Sequence, residues 1–529
     1  MDQQYLQIFL GAISALILFI YGIENLSKDF QGLAAEKFRI LISKLASNRF
    51  TGALVGAFST AIIQSSTAVS LVVVVLVNTG VISFKQSLAI MFGTNLGTTV
   101  TAQLALLQST MLAPVLIIVG FFLRISGAKF RLISKPIFFL GFILFALNLL
   151  SSNLAPLQEH PNVMFFFAAL SAPLLAFFAS ALFTILVQSS SVTSGMIIVL
   201  VYSGMIPVEV AIPMILGANV GTSTTAFVVS TRLNLHAKRA GTAKFVFTLL
   251  GAILFMVLLT PFTMLIESFA VSAAAQAALA HLIFNLAITV LFLIVLTPFE
   301  KLIIWLVKGE EEEILFETKY LSKSENITFE KQIANVKKEI AYSIEITIKI
   351  YQKAISMFYH PAKTVEMEID KLETLNDYLD EEISLSIVDL TKKKLTQKKA
   401  QQTVSLLKIS NTVEQLGDLG RDFSDVFIKM HELNIPKHEV DIEATTDINN
   451  KLIELFKQTE IVIKNPTKKE IEKLKMVEIS MSKLIKDYFD VHVKKLQAED
   501  SYQGSVFVDA ISIIELSVSK IREIRKILT

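Results

Sequence analysis

Long apolar runs broken by short polar interruptions fill the first three hundred residues, and beyond them the pattern changes to apolar positions recurring every three or four residues among many charges. Tyr5–Ile23, Lys135–Leu150 and Ala280–Val307 read as membrane spans, since a hydrocarbon core about 30 Å thick calls for roughly 20 apolar residues in a helix. After Lys308-Gly309 and the acidic run Glu310–Glu313, which reads as a linker, the period predicts six amphipathic helices: Phe329–Met357, Val365–Leu390, Gln397–Leu433, Ile442–Lys464, Lys468–Leu496 and Val506–Ile527. Thr467 and Glu470 behind Pro466 form a capping box for the fifth. No strand pattern competes there. The expected fold class is all-α: a polytopic membrane domain over 1–307, a linker over 308–328, and a soluble six-helix domain of two three-helix bundles over 329–529.

Charge sharpens this division. Through Glu300 there are 14 Lys/Arg and 8 Asp/Glu, against 49 and 47 for the whole chain, so a near-neutral total joins an apolar half to a heavily charged one. The first apolar run has no basic stretch before it and Glu24 directly after it, so it reads as a retained span and not a cleaved leader. Cysteine is absent, which excludes disulfides, thiolate metal sites and cysteine nucleophiles.

The membrane half repeats itself. Gln64-Ser65-Ser66-Thr67 aligns with Gln188-Ser189-Ser190-Ser191, and Gly93-Thr94-Asn95-Leu96-Gly97-Thr98-Thr99 with Gly217-Ala218-Asn219-Val220-Gly221-Thr222-Ser223, all at one offset of 124 residues. Gly80 meets Gly204 at the same offset. The repeats run over about 5–123 and 135–260, with an extra span at 280–307. Basic residues mark the cytoplasmic side of short loops, and they cluster at Lys28–Arg49, Arg124–Lys135 and Arg232–Lys244, whereas Ser151–Asn162 and Ser268–Ala278 have none. The copies are therefore expected to be inverted, with the N-terminus outside and the helical domain cytoplasmic. A single crossing over Thr51–Asn78 would put the basic loop Arg124–Lys135 outside. A re-entrant hairpin turning at Gln64–Thr67 keeps every loop on its proper side and sets Lys85 inside and Glu209 outside.

Irregular backbone at membrane depth persists only when buried in protein or lining a wet cavity. The hairpin tips and the two Gly-x-Asn-x-Gly segments, read as helix breaks, are therefore the candidate substrate and sodium site: Gln64, Ser65, Ser66, Thr67, Asn95, Thr98 and Thr99 in one copy, and Gln188, Ser189, Ser190, Ser191, Asn219, Thr222 and Ser223 in the other. Half-helix N-termini suit an anion, and exposed carbonyls suit a cation. Apart from Lys85 and Glu209 these segments carry no charge, so an anion there is expected to rest on neutral donors and a co-bound cation. A carboxylate proton relay is disfavoured. His281 and Asn285 read as helix contacts, and Trp305 as an interface anchor.

The paired Gln-Ser-Ser tips with the downstream Gly-Thr-Asn and Gly-Ala-Asn motifs resemble the type II sodium/phosphate cotransporter family, from about Leu10 to Val307. The resemblance implies inorganic phosphate moved with sodium by alternating access across the inner (plasma) membrane. Leu407–Asp425, containing Asn411-Thr412-Val413-Glu414-Gln415-Leu416-Gly417-Asp418, resembles PhoU-type phosphate regulators. Glu366 and Asp370 resemble that family's acidic metal motif, which implies a divalent metal shared with Glu414 and Asp418; hard oxygen ligands favour magnesium, manganese or iron. Ile511–Ile521 has no matching acidic pair. Expected partners are phosphate, sodium, the lipid bilayer and a second copy of the chain, with no nucleic acid. The competing reading is a phosphate sensor whose membrane half only binds. Hydrolase motifs are missing: there is no Walker loop, Gly-x-Ser-x-Gly or His-Glu-x-x-His.

Overall fold

A computed structural model of the chain describes residues 3–45, 48–106, 111–126, 131–157, 167, 170–309, 313–321, 328–392, 395–433, 442–498 and 505–529. The acidic linker residues Glu310–Glu312, residues 127–130 of the Arg124–Lys135 loop and residues 158–162 of the Ser151–Asn162 loop lie outside these. The described residues form helices and no strand, in two compact units, Met1–Glu313 and Ile314–Thr529.

In the first unit the helices are α1 (Gln3–Leu45), α2 (Arg49–Ile63), α3 (Ser66–Asn78), α4 (Phe84–Ala105), α5 (Leu112–Ile125), α6 (Arg131–Leu154), α7 (Pro173–Val187), α8 (Ser190–Tyr202), α9 (Val208–Ser230), α10 (Leu235–Val257), α11 (Leu259–Glu267), α12 (Ala273–Ile294) and α13 (Leu296–Leu306). Gln7–Lys28, Ile133–Leu157, α9, α10 and α12 are each long and apolar enough to cross a membrane. The repeat fixes helix ends as well as residues. Moved by 124 positions, α2 and α3 land on α7 and α8 residue for residue. Gln64 and Gln188 end the first helix of each pair in the left-handed region, at φ 57° and 56°. Ser65 and Ser189 then cap the second helix, accepting from the N–H of Ala68 at 3.2 Å and of Val192 at 3.3 Å. Gly80 and Gly204 close both hairpins at positive φ.

Two expectations are corrected. The Gly-x-Asn-x-Gly segments do not break their helices: α4 runs through Gly93–Thr99, and α9 through Gly217–Ser223. Their glycines serve close packing instead. A Cβ on Gly93 would lie 1.9 Å from the Ala53 carbonyl oxygen, and one on Gly217 would lie 2.1 Å from that of Phe177. Small residues four apart thus let α2 lie directly on α4, and α7 on α9. The apolar run Ala280–Val307 is not one helix. It bends at Val295, three residues before Pro298, because proline has no N–H and its ring crowds the preceding turn.

The second unit is α14 (Phe329–Tyr359), α15 (Lys363–Thr391), α16 (Gln397–Glu432), α17 (Ile442–Lys464), α18 (Lys468–Ala498) and α19 (Ser505–Leu528), within two residues of the predicted bounds at every end. The two sets of three share one core, tied by the Tyr351 hydroxyl to Ser517 at 2.6 Å. Thr467 does cap α18, accepting from Glu470 N at 3.3 Å, but the Glu470 carboxylate takes Gln458 Nε2 at 2.8 Å in place of the reciprocal half of the box. Glu339, fully buried, accepts from the N–H groups of Lys319, Tyr320 and Leu321. Glu478 holds both Arg522 and Arg525.

Candidate functional site

The polar centre of the first unit forms where the hairpin tips meet α4. Gln64 is turned inward by its left-handed backbone, and its Oε1 accepts from Thr101 Oγ1 at 2.7 Å. The Thr101 hydroxyl oxygen is also 3.3 Å from Ser191 Oγ, so one threonine joins the tip of the first hairpin to the tip of the second. Gln64 and Ser191 are buried, whereas Gln188, the counterpart of Gln64, is exposed. Equivalent residues therefore stand in unequal surroundings. Ser66 and Ser190 lie in the first turns of α3 and α8, where N–H groups are left without intrahelical partners.

The hydroxyls on α4 and α9 behave differently from those at the tips. Thr98 donates to the Thr94 carbonyl at 3.0 Å, Thr99 to Leu96 at 2.8 Å, Thr222 to Ala218 at 3.0 Å and Ser223 to Val220 at 2.7 Å. Each O–H is spent on its own helix, which leaves lone pairs to face outward. These residues offer acceptors, which suit a cation. The tip serines, whose oxygens accept the caps, retain an O–H to donate and suit an anion.

Two polar groups of this centre lie outside the residues that the motifs single out, Thr101 and Lys244. Thr101 sits two residues beyond the motif. Lys244, counted among the loop charges, lies nine residues inside α10 with 3% of its surface exposed. Its Nζ donates to Met91 O at 3.1 Å, to Thr94 Oγ1 at 2.5 Å and to Asn95 Oδ1. The centre is therefore not charge-free. His281 and Asn285 are fully buried; both imidazole nitrogens and Asn285 Oδ1 have no partner among the described residues, nor has Asn95 Nδ2. Thr289 Oγ1 donates to Phe92 O at 3.1 Å and Gln103 Nε2 to Ala278 O at 3.2 Å, which runs α12 antiparallel to α4. That register sets His281 and Asn285 beside the Leu96–Thr101 stretch of α4, where the two helices pack.

Residues 18–152 and 144–293 match the model of the Na+/Pi-cotransporter family. The chain belongs to that family. Among its relatives, the putative inorganic phosphate export protein YjbB of Escherichia coli K12 is 23% identical over 414 residues, covering 78% of this chain and 76% of that protein. The uncharacterized protein YqeW of Bacillus subtilis is 28% identical over 274 residues, covering 51% of this chain and 89% of its own. The human sodium-dependent phosphate transport protein 2B is 38% identical over 106 residues, covering 19% and 15%. No solved structure matches the chain. As a member of the Na+/Pi-cotransporter family with several membrane-length helices, the chain is a multi-pass membrane protein of a phosphate-transporting family.

In the second unit the acidic residues gather one to two turns away from the expected set. Oxygens of Glu373, Asp377 and Asp418 lie within 4.8 Å of one another. Partial burial, then the charge of Asp418 and those of Asp377, Asp380 and Glu373, push Glu414 up to about 7. Glu373, Asp377 and Asp418 are raised as well, each by burial first. Of the expected quartet, Asp418 belongs to this cluster, and Glu414 feels its charges without sharing its oxygens' contact. Asp370 is instead paired with Arg421 at 3.1 Å, and Glu366 lies still further from it along α15.

Proposed function

We propose that the first unit carries inorganic phosphate together with sodium across the plasma membrane by alternating access between two inverted halves, and that the second unit is a cytoplasmic, PhoU-like regulatory domain. The observation that carries this reading is the Gln64–Thr101–Ser191 link. It brings a residue from each repeat to one hydroxyl, so a bound anion at that point touches both halves, and rocking one half against the other exposes it to either side. Anion donors at the tips and acceptors along α4 and α9 divide the centre between phosphate and sodium. The inequality of Gln64 and Gln188 fits one stage of such a cycle.

Inversion is supported by where the hairpins open. Asn78 closes the first against Asn234, with Asn234 N–H donating to Asn78 Oδ1 at 3.0 Å, just beyond the Ser230 end of α9. Ser203 closes the second against Ser151 at 3.1 Å, before the Val208 end. A 23-residue helix separates these ends, which is about 34 Å.

Reconstituted protein should show saturable phosphate flux driven by an imposed sodium gradient. Equal flux in potassium, with a proton gradient required, overturns the sodium reading. The topology has its own test on a chain without cysteine. Lys85→Cys should react with an impermeant thiol reagent from the cytoplasmic side alone and Glu209→Cys from the outer side alone; reaction of both from one side refutes the inverted hairpins.

A further inference from the structure

The last helices of the first unit contain a smaller internal copy. Ala243-Lys244-Phe245-Val246-Phe247-Thr248 on α10 recurs 37 residues later as Ala280-His281-Leu282-Ile283-Phe284-Asn285 on α12, and Leu259-Thr260-Pro261-Phe262 recurs at the same spacing as Leu296-Thr297-Pro298-Phe299. The geometry repeats with the letters. Phe247 and Phe284 are fully buried, Thr248 Oγ1 donates to Lys244 O at 2.9 Å, and Asn285 Nδ2 donates to His281 O at 2.9 Å. α10 packs on α3, α4 and α9, and α12 on their repeat mates α8, α9 and α4. Lys244 and His281 are therefore counterparts.

Their surroundings differ in a telling way. An ammonium has three N–H donors and no acceptor. Lys244 Nζ has three oxygens around it, and no carboxylate makes an ion pair with it among the described residues. With the Thr94 O–H turned to the Met91 carbonyl, none of these groups donates to an amine lone pair, and the arrangement suits the cation. Thr94 spends its own O–H on the Met91 carbonyl at 2.8 Å, leaving its lone pairs to Nζ. In the other repeat the matching positions are Ile215, Ala218 and Asn219. The hydroxyl is missing there, and Asn219 Nδ2 itself donates to Ile215 O at 2.8 Å. Only the first half builds a cage of carbonyl, hydroxyl and amide oxygens.

Such a set is what a sodium ion takes, and a bare charge in a membrane segment is costly enough to need a purpose. We propose that Met91 O, Thr94 Oγ1 and Asn95 Oδ1 form a monovalent-cation site and that Lys244 keeps a tethered ammonium in it, in place of an exchangeable sodium ion. The charge then stays when coupling ions leave. With all three N–H groups spent on the cage, Lys244 is a positioning residue and not a phosphate ligand.

The test is full-length Lys244→Ala, purified at equal ionic strength in sodium chloride and in N-methylglucamine chloride. Sodium should raise the variant's melting temperature by more than it raises the wild type's, and the Hill coefficient for sodium in phosphate flux should increase by about one. Adding Thr94→Ala, which copies Ala218, should remove both gains. A variant that survives purification only in sodium supports the site. One that aggregates in both salts, or melts with no extra sodium response, overturns it. So does a tenfold loss of phosphate affinity at unchanged sodium order. The flux readout rests on the sodium-coupled reading above; if wild-type flux ignores sodium, that reading falls while the melting comparison still decides the cage.

Discussion

Gln64→Gly is expected to lower phosphate flux at least tenfold while shifting the stability of the fold by no more than about 1 kcal/mol. The two effects separate because Gln64 does two things. Its backbone sits at φ 57°, where a side chain costs energy and glycine does not. Its side chain accepts from Thr101, the hydroxyl that also reaches Ser191. Removing the carboxamide relieves the backbone and costs the fold one hydrogen bond, about 0.5–1.5 kcal/mol net, with Ser191 still in reach of the Thr101 hydroxyl. If that hydroxyl is held by Gln64 to donate to phosphate, losing the charge-assisted bond, about 1.5–3 kcal/mol, is roughly tenfold to more than a hundredfold in apparent affinity. Thr101→Val, which keeps the shape and removes both bonds, should match it. Measuring flux beside the melting temperature of detergent-solubilised protein decides the matter. Gln64→Gly and Thr101→Val with parental flux would return the tip to plain helix packing. Ser65→Ala is less informative, since it also removes the cap of α3, worth about 1 kcal/mol by itself.

Much of this architecture is legible in the sequence, for physical reasons. Two Gln-Ser-Ser strings at one offset predict two equal turns, and the backbone obeys because each glutamine ends one helix and each serine begins the next. The six helices of the second unit followed from a plain period. The Gly-x-Asn-x-Gly segments were misread because glycine between polar residues looks like a break. Inside a helix a glycine costs about 1 kcal/mol against alanine, and only the partner's position tells whether close contact offsets it, as the Ala53 carbonyl does over Gly93. Lys244 was hidden for the opposite reason. A basic residue following Arg232, Lys238 and Arg239 reads as part of a loop, and nothing local says that α10 starts at Leu235 and carries the lysine inward. The smaller repeat pairing it with His281 was in the letters all along. Glu366 and Asp370 lie on the same face of α15 as Glu373 and Asp377, but which turn meets Asp418 depends on how far two helices slide past each other, and periodicity carries no such register.

That displaced cluster sets up the second large effect. Glu373, Asp377 and Asp418 crowd one patch of the second unit, relieved in part by Arg421, and their charges reach Glu414. Glu414 is raised from 4.5 to about 7, through partial burial and then its carboxylate neighbours. A carboxylate whose folded value lies above its unfolded one favours the folded state while protonated. This contribution is full below about 4.5 and is lost as pH rises through about 7. The fragment Ile314–Thr529, which has its own core, should therefore melt higher at pH 5.5 than at pH 8 in the presence of a chelator. Solvent screening of so exposed a group keeps the difference near about 1 kcal/mol, roughly 2–4 °C for a unit of this size. Glu414→Gln should shrink it by raising the melting temperature at pH 8. If the cluster holds a divalent cation, that cation should remove the same repulsion more fully, since hard oxygens suit magnesium or manganese. At a hundred times its dissociation constant it stabilises by about 2.7 kcal/mol, or roughly 5–10 °C. Asp377→Asn with Asp418→Asn should abolish that rise, whereas Glu366→Gln should leave it, which separates the observed cluster from the one the sequence pointed to. A melt indifferent to millimolar manganese at pH 7.5, in a fragment that still shows the pH effect, would make these carboxylates a repulsive patch with no metal to hold.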